Sequence, residues 1–406
     1  MTGVKVQAAR LWQSLMDMAE IGPGLAGGNN RLAFSAEDDA ARGIFVTWCK
    51  DAGLNVSSDR FGNQFATRAG IEEGPPLLIG SHLDTQPTGG RFDGALGVLA
   101  GLEVIRSLND ACVTTRRPIT LVNWTNEEGT IIRPMMGSEV FTGALPLVEA
   151  RAMIDHRGNR LGDMLDALQN GVGESVPGFP VHAYVELHIE QGPILEQGGE
   201  TIGVVTGGIG FRRWLLTFIG QDAHAGPTPM EARKDAMVAA AHAILIADRV
   251  ARALPGGRAT CGLIASPNGS QVTVASRVTL TLDLRHEDLA TLDALSAQIL
   301  AEIATQAEKL AVSFSFEKTT DYAPIAFDPG IIAAIDAARS KNGFRGRRMV
   351  SGAGHDVCNM ARIVPAGLIF VPSVGGISHN EAEFTTPEDC AAGAQVLLDT
   401  MLALAD

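Results

Sequence analysis

Five short segments of this chain each carry a side chain able to ligate a divalent metal: Gly80-Ser81-His82-Leu83-Asp84, Phe92-Asp93-Gly94, Asn126-Glu127-Glu128-Gly129, Leu187-His188-Ile189-Glu190-Gln191-Gly192 and Ser378-His379-Asn380-Glu381. Borderline metals such as zinc and manganese take imidazole nitrogen and carboxylate oxygen, and a pair of ions needs one carboxylate placed to bridge them. Three histidines, one aspartate and one glutamate from these segments meet that need, so the pattern reads as a two-metal hydrolase. Each segment is flanked by small or turn-forming residues, which predicts ligands at strand ends and loop starts.

Each of these residues also has a plainer reading. Asp93 sits in the Gly-rich stretch Gly89-Gly90-Arg91-Phe92-Asp93-Gly94 before a predicted helix and would serve as its N-cap, and His82 would be a hydrogen-bonded strand-end histidine. Taken together, they favour a metal. Glu127 and Glu128 follow an apolar strand. Adjacent carboxylates repel, and on an extended backbone they point in opposite directions, so one can hold a metal while the other stands off and takes a proton from water. The competing reading is a solvated acidic turn.

His224, in Asp222-Ala223-His224-Ala225-Gly226-Pro227-Thr228-Pro229, is a candidate oxyanion stabiliser, or a loop histidine with no role. Arg285 ends a strand on its polar face, where it would pair bidentately with a substrate carboxylate or form an ion pair with Asp283. Gly352-Ala353-Gly354-His355-Asp356 would cradle substrate, buttress the site, or make a Gly-rich turn before a helix. His156, His182, His242 and His286 have no supporting context, and the glycines around 207 to 210 lack the strand, helix and later acid of a dinucleotide fingerprint.

Composition narrows the partners. The chain has 406 residues, 46% hydrophobic, enough for a sizeable core and more than one average domain. A net charge of −14 and a pI near 5.1 argue against nucleic acid or an anionic membrane surface and for a small-molecule substrate. Cys49, Cys112, Cys261, Cys358 and Cys390 are scattered without a C-x-x-C pair, which predicts buried thiols in a reducing compartment and no cysteine zinc site. With no signal-like N-terminus and no apolar run of the roughly 18 to 20 residues that spans a bilayer, a cytoplasmic protein is expected.

Elements that would position these residues follow from periodicity. Leu77–Gly80, Ile119–Trp124 and Tyr184–His188 read as strands and Ala95–Leu108 as a helix, which is α/β patterning. From 212 the pattern becomes a strand over Trp214–Ile219, an Ala-rich helix over Glu231–Ala253, two strands, a helix over Asp288–Leu310 and a strand over Val312–Phe316. This βαββαβ order predicts a two-layer unit with an antiparallel sheet. Alternation in Arg277–Arg285 puts Val278, Leu280, Leu282 and Leu284 on one face. Because His379 follows this unit while the other candidate ligands precede it, residues 1–211 and 326–406 are expected to form one domain, with 212–325 inserted.

These segments resemble the M20-type metallopeptidase superfamily, specifically its amidase/hydantoinase/carbamoylase branch. The motifs that carry the likeness span nearly the whole chain: Gly-Ser-His-Leu-Asp-Thr-Gln-Pro-Thr-Gly-Gly-Arg-Phe-Asp-Gly (80–94), Thr-Asn-Glu-Glu-Gly (125–129), Glu-Leu-His-Ile-Glu-Gln-Gly-Pro (186–193), Ala-His-Ala-Gly-Pro-Thr-Pro-Met (223–230), Ser-Gly-Ala-Gly-His-Asp (351–356) and Ser-His-Asn-Glu (378–381). The resemblance implies a zinc-exopeptidase-like α/β catalytic domain with an inserted lid and dimerisation domain. It implies two divalent ions per subunit, Zn, Mn, Co or Ni: His82, Asp93 and His188 on one, Asp93, Glu128 and His379 on the other, and Asp93 bridging. Glu127 would be the general base, while Gln191, His224 and Arg285 would contact a carboxylate-bearing substrate, His224 also at the oxyanion. A homodimer through the lid is expected.

The reaction so implied is hydrolysis of N-carbamoyl-L-amino acids or N-carbamoyl-β-alanine. Allantoate or ureidoglycolate hydrolysis is the runner-up, and an N-acyl amino acid deacylase or dipeptidase comes third. One departure bears on specificity: relatives carry an Asn-Val-Ile-Pro-Gly-like run where this chain has Ser270-Gln271-Val272-Thr273-Val274-Ala275, so Val272, or Gln271 after a one-residue slip, stands in place of a substrate-binding asparagine.

Overall fold

The computed structural model describes residues 3–267 and 269–405. Contacts divide the chain into two compact units, 1–207 with 326–406, and 208–325.

In the first unit four mutually parallel strands lie side by side in the order Ile119–Trp124, Leu77–His82, Ala183–Ile189, Ala366–Val371. Every residue of all four is buried, as expected of parallel strands covered on both faces. Antiparallel strands extend the sheet on either side: Gln64–Arg68 and Asn55–Ser58 beyond Ile119–Trp124, and Ile202–Gly208 beyond Ala366–Val371. The helix Ala95–Asp110 packs on Leu77–His82 and against Pro387–Ala405, which also meets Ala8–Ala19 and Pro329–Lys341. Because the four central strands are parallel, they deliver their carboxyl ends to one edge.

The second unit has two layers. Gly210–Ile219 pairs antiparallel with Arg277–His286 on one side and Ser313–Tyr322 on the other. The alternation read from Arg277–Arg285 holds: Val278, Leu280, Leu282 and Leu284 are buried with Trp214, Leu216 and Phe218 against Ala239, Ala240, Ala243, Ile299 and Ile303 of two helices. The first of these helices runs Ala236–Arg252, starting later than the expected Glu231, because Asp235 caps it by accepting from the Met237 and Val238 amides. Between the helices the expected two strands become three short segments, Arg258–Thr260, Ile264–Ala265 and Thr273–Val274, ahead of the long one.

Burial corrects one expectation about the cysteines. All five are free, but only Cys49 and Cys390 are buried, while Cys112 is exposed. Among the described residues, no helix is long and apolar enough to cross a membrane.

Candidate metal centre

His82 ends the strand Leu77–His82, His188 lies one residue from the end of Ala183–Ile189, and Glu127 and Glu128 follow Ile119–Trp124 in the next turn. His379 lies in the loop after Ala366–Val371, so parallel neighbours bring all five side chains to the same edge. Asp93 comes from the turn before Ala95–Asp110. It is not that helix's N-cap: Gly94 occupies the position at φ 64, and a Cβ there would run into the His82 ring. The Asp93 carboxylate is left to face three imidazoles. Its Oδ1 stands 3.0 Å from His188 Nε2 and 3.7 Å from His82 Nε2, and its Oδ2 stands 3.4 Å from His379 Nε2.

Among the described residues three donor groups have ligand atoms within 4.8 Å of one another; one is Glu186 with His188 and His355, and the two that share Asp93 are His82 with Asp93 and His188, and Asp93 with Glu128 and His379. Asp93 belongs to both. Glu128 Oε2 lies 3.4 Å from His379 Nε2, whereas Glu127 Oε2 lies 3.5 Å from His82 Nε2 and Glu127 joins neither group. Adjacent in sequence, the two glutamates therefore occupy different places in the site.

Surrounding groups orient these side chains. The Nδ1–H of His82 donates to the Asp84 carbonyl and that of His188 to the Ile189 carbonyl, both at 2.9 Å, which turns Nε2 of each ring toward Asp93. The Asp84 carboxylate accepts the amides of Glu127 and Glu128, at 3.2 and 3.1 Å. Gln86 Nε2 donates to Glu128 Oε2 at 2.7 Å, and Gln191 Nε2 donates to Asp93 Oδ2 at 2.8 Å. Asn126, Gln191 and His379 all have positive φ (56, 59 and 51°), a conformation that costs about 1–3 kcal/mol per residue and is kept only where surrounding contacts over-determine it.

Crowded buried acid dominates the electrostatics. Burial and then the charges of Asp356 and Glu128 push the Glu127 carboxyl well above its usual range. Burial and the neighbouring Asp93 and Asp84 do the same to Glu128. Asp84, chiefly through burial, is pushed up to about 7. Asp93 goes the other way: burial alone would raise it, but hydrogen bonds to His188 and His379 outweigh that and hold it well below. Glu128 Oε1 is buried with no hydrogen-bond partner. Converging imidazole and carboxylate donors, a surplus of buried negative charge and an orphaned carboxylate oxygen fit divalent cations.

Of the remaining candidates, the structure places Gln191 in this group, while His224 and Arg285 belong to the 208–325 unit. His224 is exposed on the short strand Ala223–His224, with its Nδ1 accepting from the Gly226 amide at 3.1 Å. Val272 is 60% exposed, and its carbonyl accepts from the Ala225 amide beside His224. Arg285 pairs with Asp283 at 2.8 Å and lies over the Phe211 ring. His355 precedes the short helix Asp356–Met360, and its ring centroid lies 4.4 Å from that of His188. His286 is buried, donating to the Pro255 carbonyl from Nε2 and accepting the Asp288 amide at Nδ1, which is a turn-stabilising role.

Asp84, Gln86, Ser378 and Glu383 acquire positions around the site that sequence reasoning did not assign. Asp84 carried a signal, two residues beyond His82 at a strand end; Glu383 carried none, since its partners lie in another loop.

This fold and donor set suit a hydrolase that uses divalent metal, built on a mixed α/β sheet. Residues 78–403 match Peptidase family M20/M25/M40. The chain is 44% identical to an N-carbamoyl-L-amino-acid amidohydrolase of Rhizobium meliloti, over 99% of this chain and 97% of the relative. It is 33% identical to an allantoate amidohydrolase of Bacillus subtilis (strain 168), over 96% and 95%. The crystal structure of an amidase of the hydantoinase/carbamoylase family from Burkholderia multivorans superposes with a TM-score of 0.94 at 45% identity, covering 99% of this chain and 98% of that one. The chain belongs to peptidase family M20/M25/M40, and it is an amidohydrolase of that family.

Proposed function

We propose that the protein hydrolyses the ureido C–N bond of N-carbamoyl-L-amino acids, releasing the amino acid, ammonia and carbon dioxide. The observation that carries this reading is the pair of donor groups sharing Asp93, with Glu127 beside them and outside both. The 44% identity to an enzyme named for that reaction supports the substrate class.

In this reading His82, Asp93 and His188 hold one divalent ion and Asp93, Glu128 and His379 the other, from among Zn, Mn, Co and Ni. Bound there, such ions supply Lewis acidity that acidifies water and polarises a carbonyl. Glu127, 3.5 Å from His82 Nε2 and outside both donor groups, takes the proton of the attacking water and returns it to the departing amine nitrogen as the C–N bond breaks. Asp84 holds the backbone of both glutamates while this happens. His224 stabilises the developing oxyanion, Gln191 contacts the substrate, and Arg285 binds its carboxylate, exchanging Asp283 for it. Carbamate leaves and decays to ammonia and carbon dioxide.

The 208–325 unit would act as lid and as the seat of a homodimer. Ser313–Tyr322 is an edge strand with Phe316 53% exposed, the kind of edge that a second copy pairs with. A cytoplasmic setting suits the five free thiols. Allantoate hydrolysis is the second reading, favoured by the 33% identity to the Bacillus subtilis enzyme. Ammonia release from N-carbamoyl-L-amino acids, N-carbamoyl-β-alanine and allantoate, with the chelated protein reloaded with each metal in turn, decides among them. Turnover of allantoate alone would overturn the first reading, and amino acid released from N-acyl substrates without ammonia would favour a deacylase.

A further inference from the structure

The two donor groups are held unequally. His82 and His188 sit on buried strands, and each ring is pinned by a carbonyl at Nδ1. His379 sits in a loop at φ 51, its side chain 51% exposed, and its Nε2 faces other members of the site, Asp93 and Glu128. Something else must hold that loop in register with Asp93.

Glu383 has the contacts to do so. It is 1% exposed, and its two oxygens divide between the two loops. Oε1 accepts the backbone amides of Phe92 at 3.1 Å and Asp93 at 3.0 Å, while Oε2 accepts the Ser378 hydroxyl at 2.8 Å. Ser378 Oγ also lies 3.1 Å from Asp93 Oδ2. A hydroxyl has one proton, so donation to the nearer Glu383 leaves Asp93 Oδ2 with the Gln191 amide as its side-chain donor and a further lone pair for an ion. The Glu383 amide donates to the Asn380 carbonyl at 2.9 Å, closing a turn that has His379 just before it. The loops press together closely: a Cβ on Gly90 would overlap the Glu383 carboxylate.

We propose that Glu383 is the positioning residue that locks the His379 loop to the Asp93 loop, and that binding of the second divalent ion depends on it. The inference rests on the two-ion reading above. Glu383 touches neither His82 nor His188 in these contacts but does hold the amide of Asp93, which both groups share, so its loss should weaken the second ion, which also depends on the His379 loop, more than the first.

The test is a calorimetric Zn²⁺ titration of the chelated full-length protein, with metal counted by mass spectrometry after desalting, for the wild type, Glu383→Ala, Glu383→Gln and Ser378→Ala. Wild type should hold two ions. Glu383→Ala should lose about 10–100-fold at the second ion, the range typical of groups that orient metal ligands, and clearly less at the first. Glu383→Gln, whose amide oxygen still accepts the two backbone N–H groups, should recover part of that loss. A folded Glu383→Ala protein that binds both ions as wild type does, or loses both equally, overturns the inference. If Glu383→Ala does not fold, Ser378→Ala decides: a selective loss at the second ion supports the lock, and an unchanged second ion overturns it. A wild-type count below two overturns the two-ion reading and this inference together, whereas a count of two with an unchanged variant overturns the inference alone.

Discussion

Nε2 of His188 stands 3.0 Å from Oδ1 of Asp93, and the other nitrogen of the same ring donates to a backbone carbonyl. The imidazole is thereby fixed in tautomer and direction, while the carboxylate keeps its second oxygen for the His379 side of the site.

Asp93→Asn therefore should cost more metal than any other single change. An amide cannot replace a charge shared by both donor groups, and we expect the purified variant to retain less than one ion per chain, with activity lost in proportion. Elemental analysis of protein purified without chelator checks this; two ions retained would remove Asp93 from the bridging role.

Glu127→Gln should keep its metal and lose its chemistry. Glu127 lies outside both donor groups, and removing a general base costs about 10²–10⁴ in rate. The measurement is kcat at saturating N-carbamoyl-L-amino acid with metal content determined on the same sample. Near wild-type turnover would assign the proton transfer to another group.

Asp84→Asn keeps the shape but turns an N–H donor toward one of the two glutamate amides that Asp84 now accepts. Turnover per bound metal should fall about 10–100-fold, as for other groups that orient a metal centre from outside it. An unchanged rate would make Asp84 dispensable to the glutamate turn.

Arg285→Ala should raise KM for carboxylate-bearing substrates by about 10–200-fold, the loss expected for a charge-assisted bond of about 1.5–3 kcal/mol, with kcat less affected. An equal loss on an amide without a carboxylate would point instead to its ion pair with Asp283.

Asp399 predicts an acid-sensitive seam away from the site. Burial alone would raise its carboxyl, but hydrogen bonds from Lys341, Asn342 and Gln395 outweigh that and hold it below the usual range. A depressed folded pKa means stability that is present above the unfolded value of about 3.9 and lost as pH falls through the folded one. Asp399→Asn should lower Tm by about 2–4 °C at pH 7, with the gap narrowing as pH falls below the unfolded value. A gap that does not narrow on acidification below that value would count against this account.

Residue type and spacing made much of this protein legible before folding was considered. The strands ending at His82, Trp124 and near His188 are apolar runs bounded by turn residues, and the alternation in Arg277–His286 announces a sheet with one buried face. Asp93 and His82, each ambiguous alone, gained meaning from their company. The Ala-rich helix began later than periodicity suggested, because a cap at Asp235 is a local hydrogen bond that outweighs propensity.

What the sequence by itself determined is the donor inventory, imidazole and carboxylate at strand ends, since ligand chemistry is a property of side chains. Tertiary structure decided how those donors are shared. Only parallel strand order brings His379 beside Glu128, only the turn held by Asp84 sends Glu127 and Glu128 to different places, and only the approach of two distant loops puts one carboxylate, Glu383, between Asp93 and His379. Hydrogen bonds between residues about 290 positions apart leave no local pattern in a chain, so that level of the design became visible in three dimensions alone.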